Sequence, residues 1–378
     1  MRILAIDVGT GTQDILLFDA GGPVENCPKL VVPSPTTIAA ARIRRATAAG
    51  RALVIDGTIA GGGPCWWALE DHLRAGLPAH VTPSAALTFD DDLDRVRASG
   101  VHVLAGDASA ADAAARLDAE RVTFGDLDLA AIGAALGAFD LDARFDGVAV
   151  GVFDHGAAPP GVSDRRFRFD YLARTLAADP DARAFAATAE TLPPELTRAR
   201  AALAAAPAGV PAVFMDNGPA AALGALHDPV VARTRRRCIL NVGNMHVLCF
   251  LLDGTRVVGL FEHHTGELPA ERLADFVAAL LAGTLQTDAV FDSMGHGALY
   301  TGLDTQRGPF APEVLAVTGP RRERAIAVLA ERGLRPHAAA PHGDMMISGC
   351  FGLLDGFAYR VPGAREAVAQ LHEAGTPA

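Results

Sequence analysis

Asp7, Gly9, Thr10, Gly11, Thr12 and Gln13 stand close together in the opening stretch MRILAIDVGTGTQDILLFD, and their types suit one chemistry. Glycines accept the dihedrals of a tight turn and carry no blocking side chain, so backbone N–H groups and threonine hydroxyls can converge on a phosphate. A carboxylate at the strand end beside such a turn is placed to hold Mg²⁺ through water. There is no Gly-Lys-Ser/Thr and no helix after the glycines, which excludes a P-loop and a dinucleotide fingerprint. A tight hairpin of purely structural kind is the alternative, so other residues must decide.

The second half supplies them. AVFMDNGPAAALGAL is a short strand, a polar turn with Asp216 and Asn217, and a helix of small residues. CILNVGNMHVLCFLLDGTRVVGLFEHHTG is three strand-like runs, with Asn241, Gly243 and Asn244 in the first turn and the hairpin signal Asp253-Gly254 in the second. VLAVTGPRRERAIAVLAERG is a strand, a turn at Gly319, Pro320 and Arg321, and a helix. His246, Cys249, His263, His264, His296, His337 and His342 concentrate here as well. Zinc or iron ligation is one use for them. Neighbours in a strand point oppositely, as do residues three apart, so His263/His264 and His246/Cys249 are expected to diverge and to serve as satisfied or substrate-binding side chains.

The elements that must carry these residues follow from apolar runs and breakers. Ile3–Ile6 and Ile15–Phe18 are unbroken apolar stretches, as in strands buried on both faces. Val24 to Val32 predicts a third strand, and a helix is expected from Ile38 to Ala49. ALVIDGTIAGGGPCWW predicts a strand, a close turn or anion nest at Gly61-Gly62-Gly63, and a helix after Pro64, with Trp66 and Trp67 packing a core or cleft. Asp90-Asp91-Asp92 suits a helix N-terminus better than a metal site. Residues 107–142 read as two helices, Gly147–Phe153 as a buried strand running to Asp154 and His155, Arg165–Phe169 as a partly buried amphipathic edge, and 172–206 as helical.

With 378 residues, half of them hydrophobic, the chain can fill more than one core, and two domains are expected. A net charge of −11 argues against a nucleic-acid surface. The five cysteines are scattered, with no CxxC, which suits reduced thiols in a cytoplasm. No charge-free apolar stretch has membrane-spanning length and no basic start precedes an apolar core, so a soluble, unprocessed chain is expected.

Taken in order, the motifs resemble those of the actin, sugar-kinase and heat-shock-chaperone ATPase superfamily. Ile6, Asp7, Gly9, Thr10, Thr12 and Asp19 match its first phosphate motif. Asp216 to Gly224 resembles the first connecting segment, Asn241 to Asn244 the second phosphate motif, Val314 to Pro320 the adenosine motif, and Gly343-Asp344 with Ser348 to Gly352 the final helix that returns to the first domain. More narrowly, IDVGTGTQDILLFD, DGTIAGGGPCWW and FEHHTGEL are similar to a prokaryotic family of the actin-like group, some members of which bear the name "putative pyruvate formate-lyase activating enzyme". That name implies radical chemistry on an iron–sulfur cluster, and the clustered cysteines this needs are absent.

The resemblance implies an α/β protein with the two-lobed actin-like ATPase (ribonuclease H-like) fold, mixed sheets flanked by helices about a cleft. Residues 1–226 would form the first lobe, rejoined by 343–378, and 227–342 the second, with the helix Pro219–Leu226 at the junction. It implies ATP and Mg²⁺ as cofactors, Asp7, Asp216 and Asn217 as catalytic residues, and Asp7 holding Mg²⁺ through water. Gly9, Thr10, Gly11, Thr12, Gln13, Asn241, Gly243, Asn244 and Gly349 would bind the nucleotide, with the adenine near Gly319, Pro320 and Arg321. A small-molecule ligand would occupy the cleft, a protein partner is left open, and neither nucleic acid nor membrane is expected. The departures matter equally. Asp14, read as partly exposed, stands where several relatives place a lysine, and Asn217 and Asn241 replace acids that would orient water or activate a nucleophile. Three functions are therefore carried: an ATP-dependent phosphotransferase or energy-coupling activator, a nucleotide-binding switch or scaffold with little turnover, and a metal-dependent hydrolase on the same fold.

Overall fold

The computed structural model describes residues 1–301 and 309–373; residues 302–308, inside the expected second lobe, and 374–378, at the end of the expected returning segment, lie outside them. The chain opens with the hairpin β1 (Arg2–Val8) and β2 (Thr12–Asp19), followed by β3 (Lys29–Pro33). The strand expected over 24–32 is confined to its end, because a short 3-10 turn at Val24–Asn26 lies between Pro23 and Pro28. Ser34 caps α1 (Pro35–Ala48) by accepting from the Thr37 N–H, and Pro35 supplies the pre-set first helical residue.

A four-stranded parallel sheet is then inserted: β4 (Leu53–Gly57), β5 (Ala79–Val81), β6 (His102–Val103) and β7 (Glu120–Phe124), ordered β6-β5-β4-β7, with α2 (Gly63–Arg74) against it. Strand β7 falls in a stretch expected to be helical. Its alternation, Val122 and Phe124 buried against Arg121 and Thr123 outward, is short and sits between two alanine-rich helices that dominate the pattern. Asp92 accepts from the Asp94 N–H and caps the helix Leu93–Ala98, as the acidic run predicts.

The first sheet resumes with β8 (Gly147–Val152), β9 (Ala186–Ala187) and β10 (Ala212–Asp216), giving β3-β2-β1-β8-β10-β9. Between β8 and β9 runs α3 (Asp164–Ala178), and after β10 comes α4 (Asn217–Ala225). The expected helical stretch 172–206 is broken by β9, whose two alanines sit buried at the sheet edge.

The second sheet holds β11 (Arg236–Val242), β12 (His246–Asp253), β13 (Arg256–His264), β14 (Gly297–Tyr300), β15 (Val314–Thr318) and β16 (Pro336–Ala338), ordered β14-β13-β12-β11-β15-β16. Helices α5 (Ala270–Leu281) and α6 (Arg322–Glu331) cover one face, and the last long helix, α7 (Ser348–Arg360), packs on β1, β8 and β10 of the first sheet.

The two large sheets repeat one plan. Each has an antiparallel meander, β3-β2-β1 or β13-β12-β11, extended by strands parallel to its first member, β8-β10 or β15-β16. Alternation along β11 and β12 sends Ile239, Leu248, Phe250 and Leu252 into the core of the first sheet, and Cys238, Leu240, Cys249 and Leu251 into a second core under α5 and α6. At the junction α4 crosses α7 backbone to backbone. A Cβ on Gly224 would run into the Ser348 carbonyl, and one on Gly352 into the Ala220 carbonyl. This is the two-lobed, ribonuclease H-like fold of actin-like ATPases. Among the described residues no helix is long and apolar enough to cross a membrane.

Candidate functional site

A cleft of about 970 Å³ opens between the sheets, lined by the β1–β2 turn, the β11–β12 turn, the start of α4, the end of β15 and the start of α7. The two turns are built alike. Gly9 N–H donates to the Thr12 carbonyl at 2.9 Å, and Gly243 N–H donates to the His246 carbonyl at 2.9 Å, so Asp7 and Asn241 occupy equivalent positions two residues before each glycine. Each turn is also pinned from behind. The hydroxyls of Ser34 and Thr37 donate to the Thr10 carbonyl at 2.6 and 3.0 Å, and that of Thr265 donates to the Gly243 carbonyl at 2.8 Å. The tips meet: a Cβ on Gly11 would come 2.5 Å from Asn244 Nδ2.

Beneath the first turn lie two carboxylates. Asp7 and Asp14 are directly opposed across β1 and β2, so their side chains leave the sheet on the same face. Burial pushes the Asp7 carboxyl up to about 7, while the hydrogen bond from the Asn217 amide pulls the other way. Burial and then the charge of Asp7 push Asp14 up to about 8. Asp14 is therefore not the partly exposed group expected: it is 8% exposed, enclosed because β2 is an interior strand covered by α7. Its Oδ1 is buried without a hydrogen-bond partner. An orphaned carboxylate oxygen beside a second acid is the donor set a hard cation takes, so Asp7 and Asp14 fit Mg²⁺. Gly349 completes the wall, since a side chain there would collide with the Asp7 carboxylate.

Asp7, Gly9, Thr10, Thr12, Asn217, Asn241, Gly243, Asn244, Gly319, Pro320 and Gly349 all line the cleft. Others of the set stand apart from it. Gln13 is buried, its amide donating to the Pro33 carbonyl at 3.2 Å. Arg321 lies outside the lining, exposed, with Nε 3.4 Å from Asn244 Oδ1. Asp216, 1% exposed, is turned from the cleft and accepts two hydrogen bonds from Arg168, at 2.7 and 3.0 Å.

Arg168 is a residue that sequence reasoning missed. It sits in the basic and aromatic run read as an amphipathic edge, yet it is fully buried. It holds Asp216 on one side and Glu262 on the other, the latter through bonds of 2.7 and 2.8 Å, and joins the two large sheets. Its guanidinium lies 3.8 Å from the centroid of Phe153, whose other face stacks on His246. Arg198 was missed too: it donates to both oxygens of Asp126 at 2.7 and 2.8 Å and brings a cation to the cleft wall.

Beside the cleft, with His155 and His246 in its wall, His155, His246, His264 and His296 converge, with one ring nitrogen of each within 4.8 Å of the others. Burial pushes the His155 imidazole down to about 3, and also holds His246 and His296 below the usual histidine range. His263 does diverge from His264, as expected, and bonds Ser293 instead. The five cysteines are buried and free, and only Cys238 and Cys249 lie together, at 3.5 Å, so no iron–sulfur cradle exists among the described residues.

The repeated strand order and the paired turns thus define an actin-like ATPase fold with a cleft between its two large sheets. Within that class the chain belongs to the family described as "Putative pyruvate format-lyase activating enzyme (DUF1786)", whose model matches residues 60–324. No curated protein matches the chain. Solved structures similar to it include the ROK hexokinase from Thermus thermophilus, at 14% identity and TM-score 0.34 over 96% of this chain and 100% of that one. The activator of the 2-hydroxyisocaproyl-CoA dehydratase from Clostridium difficile, with bound ADPNP, matches at 9% and 0.32 over 97% and 98%. A ROK family glucokinase from Streptomyces griseus, in complex with glucose and AMPPNP, matches at 12% and 0.36 over 94% and 98%.

Proposed function

We propose that this protein binds ATP with Mg²⁺ in the cleft and acts as an ATP-dependent phosphotransferase or energy-coupling activator. The observation that carries this reading is the meeting of two like-built turns, tip to tip, above the paired carboxylates of Asp7 and Asp14. Backbone N–H groups from both turns would receive the phosphates, and Mg²⁺ at Asp7 and Asp14 would offset the charge that acids and phosphates bring together. The adenine would lie by Gly319 and Pro320, with Arg321 at the rim. On this reading the first lobe takes residues 1–226 and is rejoined by 343–378, the second takes 227–342, and the protein works in the cytoplasm on a small-molecule acceptor or a partner protein. Calorimetric titration with AMPPNP, with and without Mg²⁺, is the test: Mg²⁺-dependent binding is expected, and its absence sinks the reading.

A second reading, a switch with little turnover, is favoured by Asn217. Its amide donates to Asp7 and cannot accept the proton of an attacking hydroxyl, so tight nucleotide binding would accompany slow phosphate release.

A further inference from the structure

Four histidines from four separate segments meet beside the cleft, two of them in its wall. His155 follows β8 of the first sheet, His246 opens β12, His264 closes β13, and His296 precedes β14. His246 and His264 are brought face to face by strand pairing, being directly opposed in the β12–β13 ladder. Ring centroids are 5.0 Å apart for His246–His264, 4.6 Å for His264–His296, 5.5 Å for His246–His296, and 5.9 Å for His155 with each of His246 and His296. Four imidazoles bound tetrahedrally at zinc–nitrogen distances place their centroids about 5 Å apart.

The hydrogen bonding leaves lone pairs free. His264 Nδ1 donates to the Met294 carbonyl at 2.7 Å, and since a carbonyl only accepts, the proton is on Nδ1 and Nε2 carries a lone pair. Met294 makes that contact from a left-handed backbone conformation (φ 75°), an uncommon one for a side-chain-bearing residue and one that collects at functional sites. His296 Nδ1 stands 3.4 Å from Glu262 Oε1 without a hydrogen bond between them, since both oxygens of Glu262 accept from Arg168. Both ring nitrogens of His296 and Nε2 of His246 are buried without hydrogen-bond partners. Phe153 stacks flat on His246, at 3.7 Å and 12°, and fixes the plane of that ring. Buried imidazole nitrogens without partners cost free energy unless something takes their lone pairs.

We propose that His155, His246, His264 and His296 hold a divalent transition-metal ion of the zinc class beside the cleft. An all-imidazole set suits Zn²⁺, Co²⁺, Ni²⁺ or Fe²⁺ and discriminates against Mg²⁺, which takes oxygen ligands. One ligand follows a strand of the first sheet and three lie on or next to strands of the second, so the ion would tie the two sheets together. The site does not depend on nucleotide binding, and its failure would leave that reading intact.

Tag-free protein, stripped with a chelator and then dialysed against zinc or cobalt chloride, gives the test. About one equivalent of metal per chain is expected by elemental analysis, resistant to excess Mg²⁺, with the intense visible absorption of four-coordinate cobalt. His264→Gln and His155→Ala should each weaken zinc binding at least about tenfold, while His263→Gln, on the same strand but facing Ser293, should not. Should His264→Gln not fold by circular dichroism, His155→Ala decides, since it lies on the loop after β8. Uptake of less than about a tenth of an equivalent by wild type, or wild-type affinity in the folded variants, overturns the proposal.

Discussion

Asn217 donates its side-chain amide to the carboxylate of Asp7 and so links the first residue of α4 to the end of β1. The bond ties the candidate cation ligand to the position where a general base would be sought. Replacing the donor by an acid should convert that arrangement. Asn217→Glu is expected to raise Mg²⁺-dependent phosphate release at least about tenfold, within the usual worth of a positioned base. A colorimetric phosphate assay decides, and an unchanged rate would mean turnover is limited elsewhere.

On the proposed reading, Asp7→Asn removes the charge that the phosphates' counter-ion would need. Nucleotide affinity with Mg²⁺ should fall at least about tenfold, or roughly 1.4 kcal/mol, while the melting temperature stays level or rises because a buried carboxylate has been neutralised. Calorimetry with and without Mg²⁺ checks it; equal affinities would make the opening turn structural only.

Asp14→Asn gives a pH signature. The folded carboxyl is raised to about 8 from an ordinary value of 3.8, so its stabilising proton is held fully below pH 3.8 and lost as pH climbs to about 8. The variant does not titrate. Its melting temperature should match wild type near pH 4 and exceed it by roughly 2–4 °C at pH 8 in the absence of Mg²⁺. A gap that shrinks with rising pH would contradict the burial argument.

Arg168→Met leaves Asp216 and Glu262 buried without their cation, and should cost about 3–5 kcal/mol in chemical denaturation. Adding Asp216→Asn and Glu262→Gln should recover a large part of that loss, because the penalty belongs to the uncompensated charges. A triple variant as unstable as the single one would place the cost in lost packing against Phe153 instead.

Much of this was readable from the chain. The two glycine-bearing turns announce themselves because glycine is required where two backbones come close, and the strand ends around Asp7 and Asn241 follow from unbroken apolar runs. Arg168 was not readable, since an arginine among Arg165, Arg166 and Phe169 looks like a solvated edge until Asp216 and Glu262 are brought to it from far along the chain. The histidine cluster was hidden by a single residue. Counted outward from the Asp253–Gly254 hairpin, His246 would face His263, but a bulge between Leu251 and Leu252 shifts the register and sets His264 opposite instead. A local irregularity of that kind leaves no signature in hydrophobic alternation.

The covering of β1 by α7 bears on how the chain is made. The Cys350 thiol donates to the Ala5 carbonyl across 345 positions of sequence, and Phe351 and Phe357 fill the core beneath the first sheet. A nascent chain leaving the ribosome can form the β1–β2 hairpin and close the inserted sheet early. The inner face of the first sheet must then wait, with Ile3, Ala5 and Leu16 uncovered, until nearly all of translation is complete. A product released before Ser348 would carry every residue of both glycine turns and still present a bare apolar face, a surface open to aggregation.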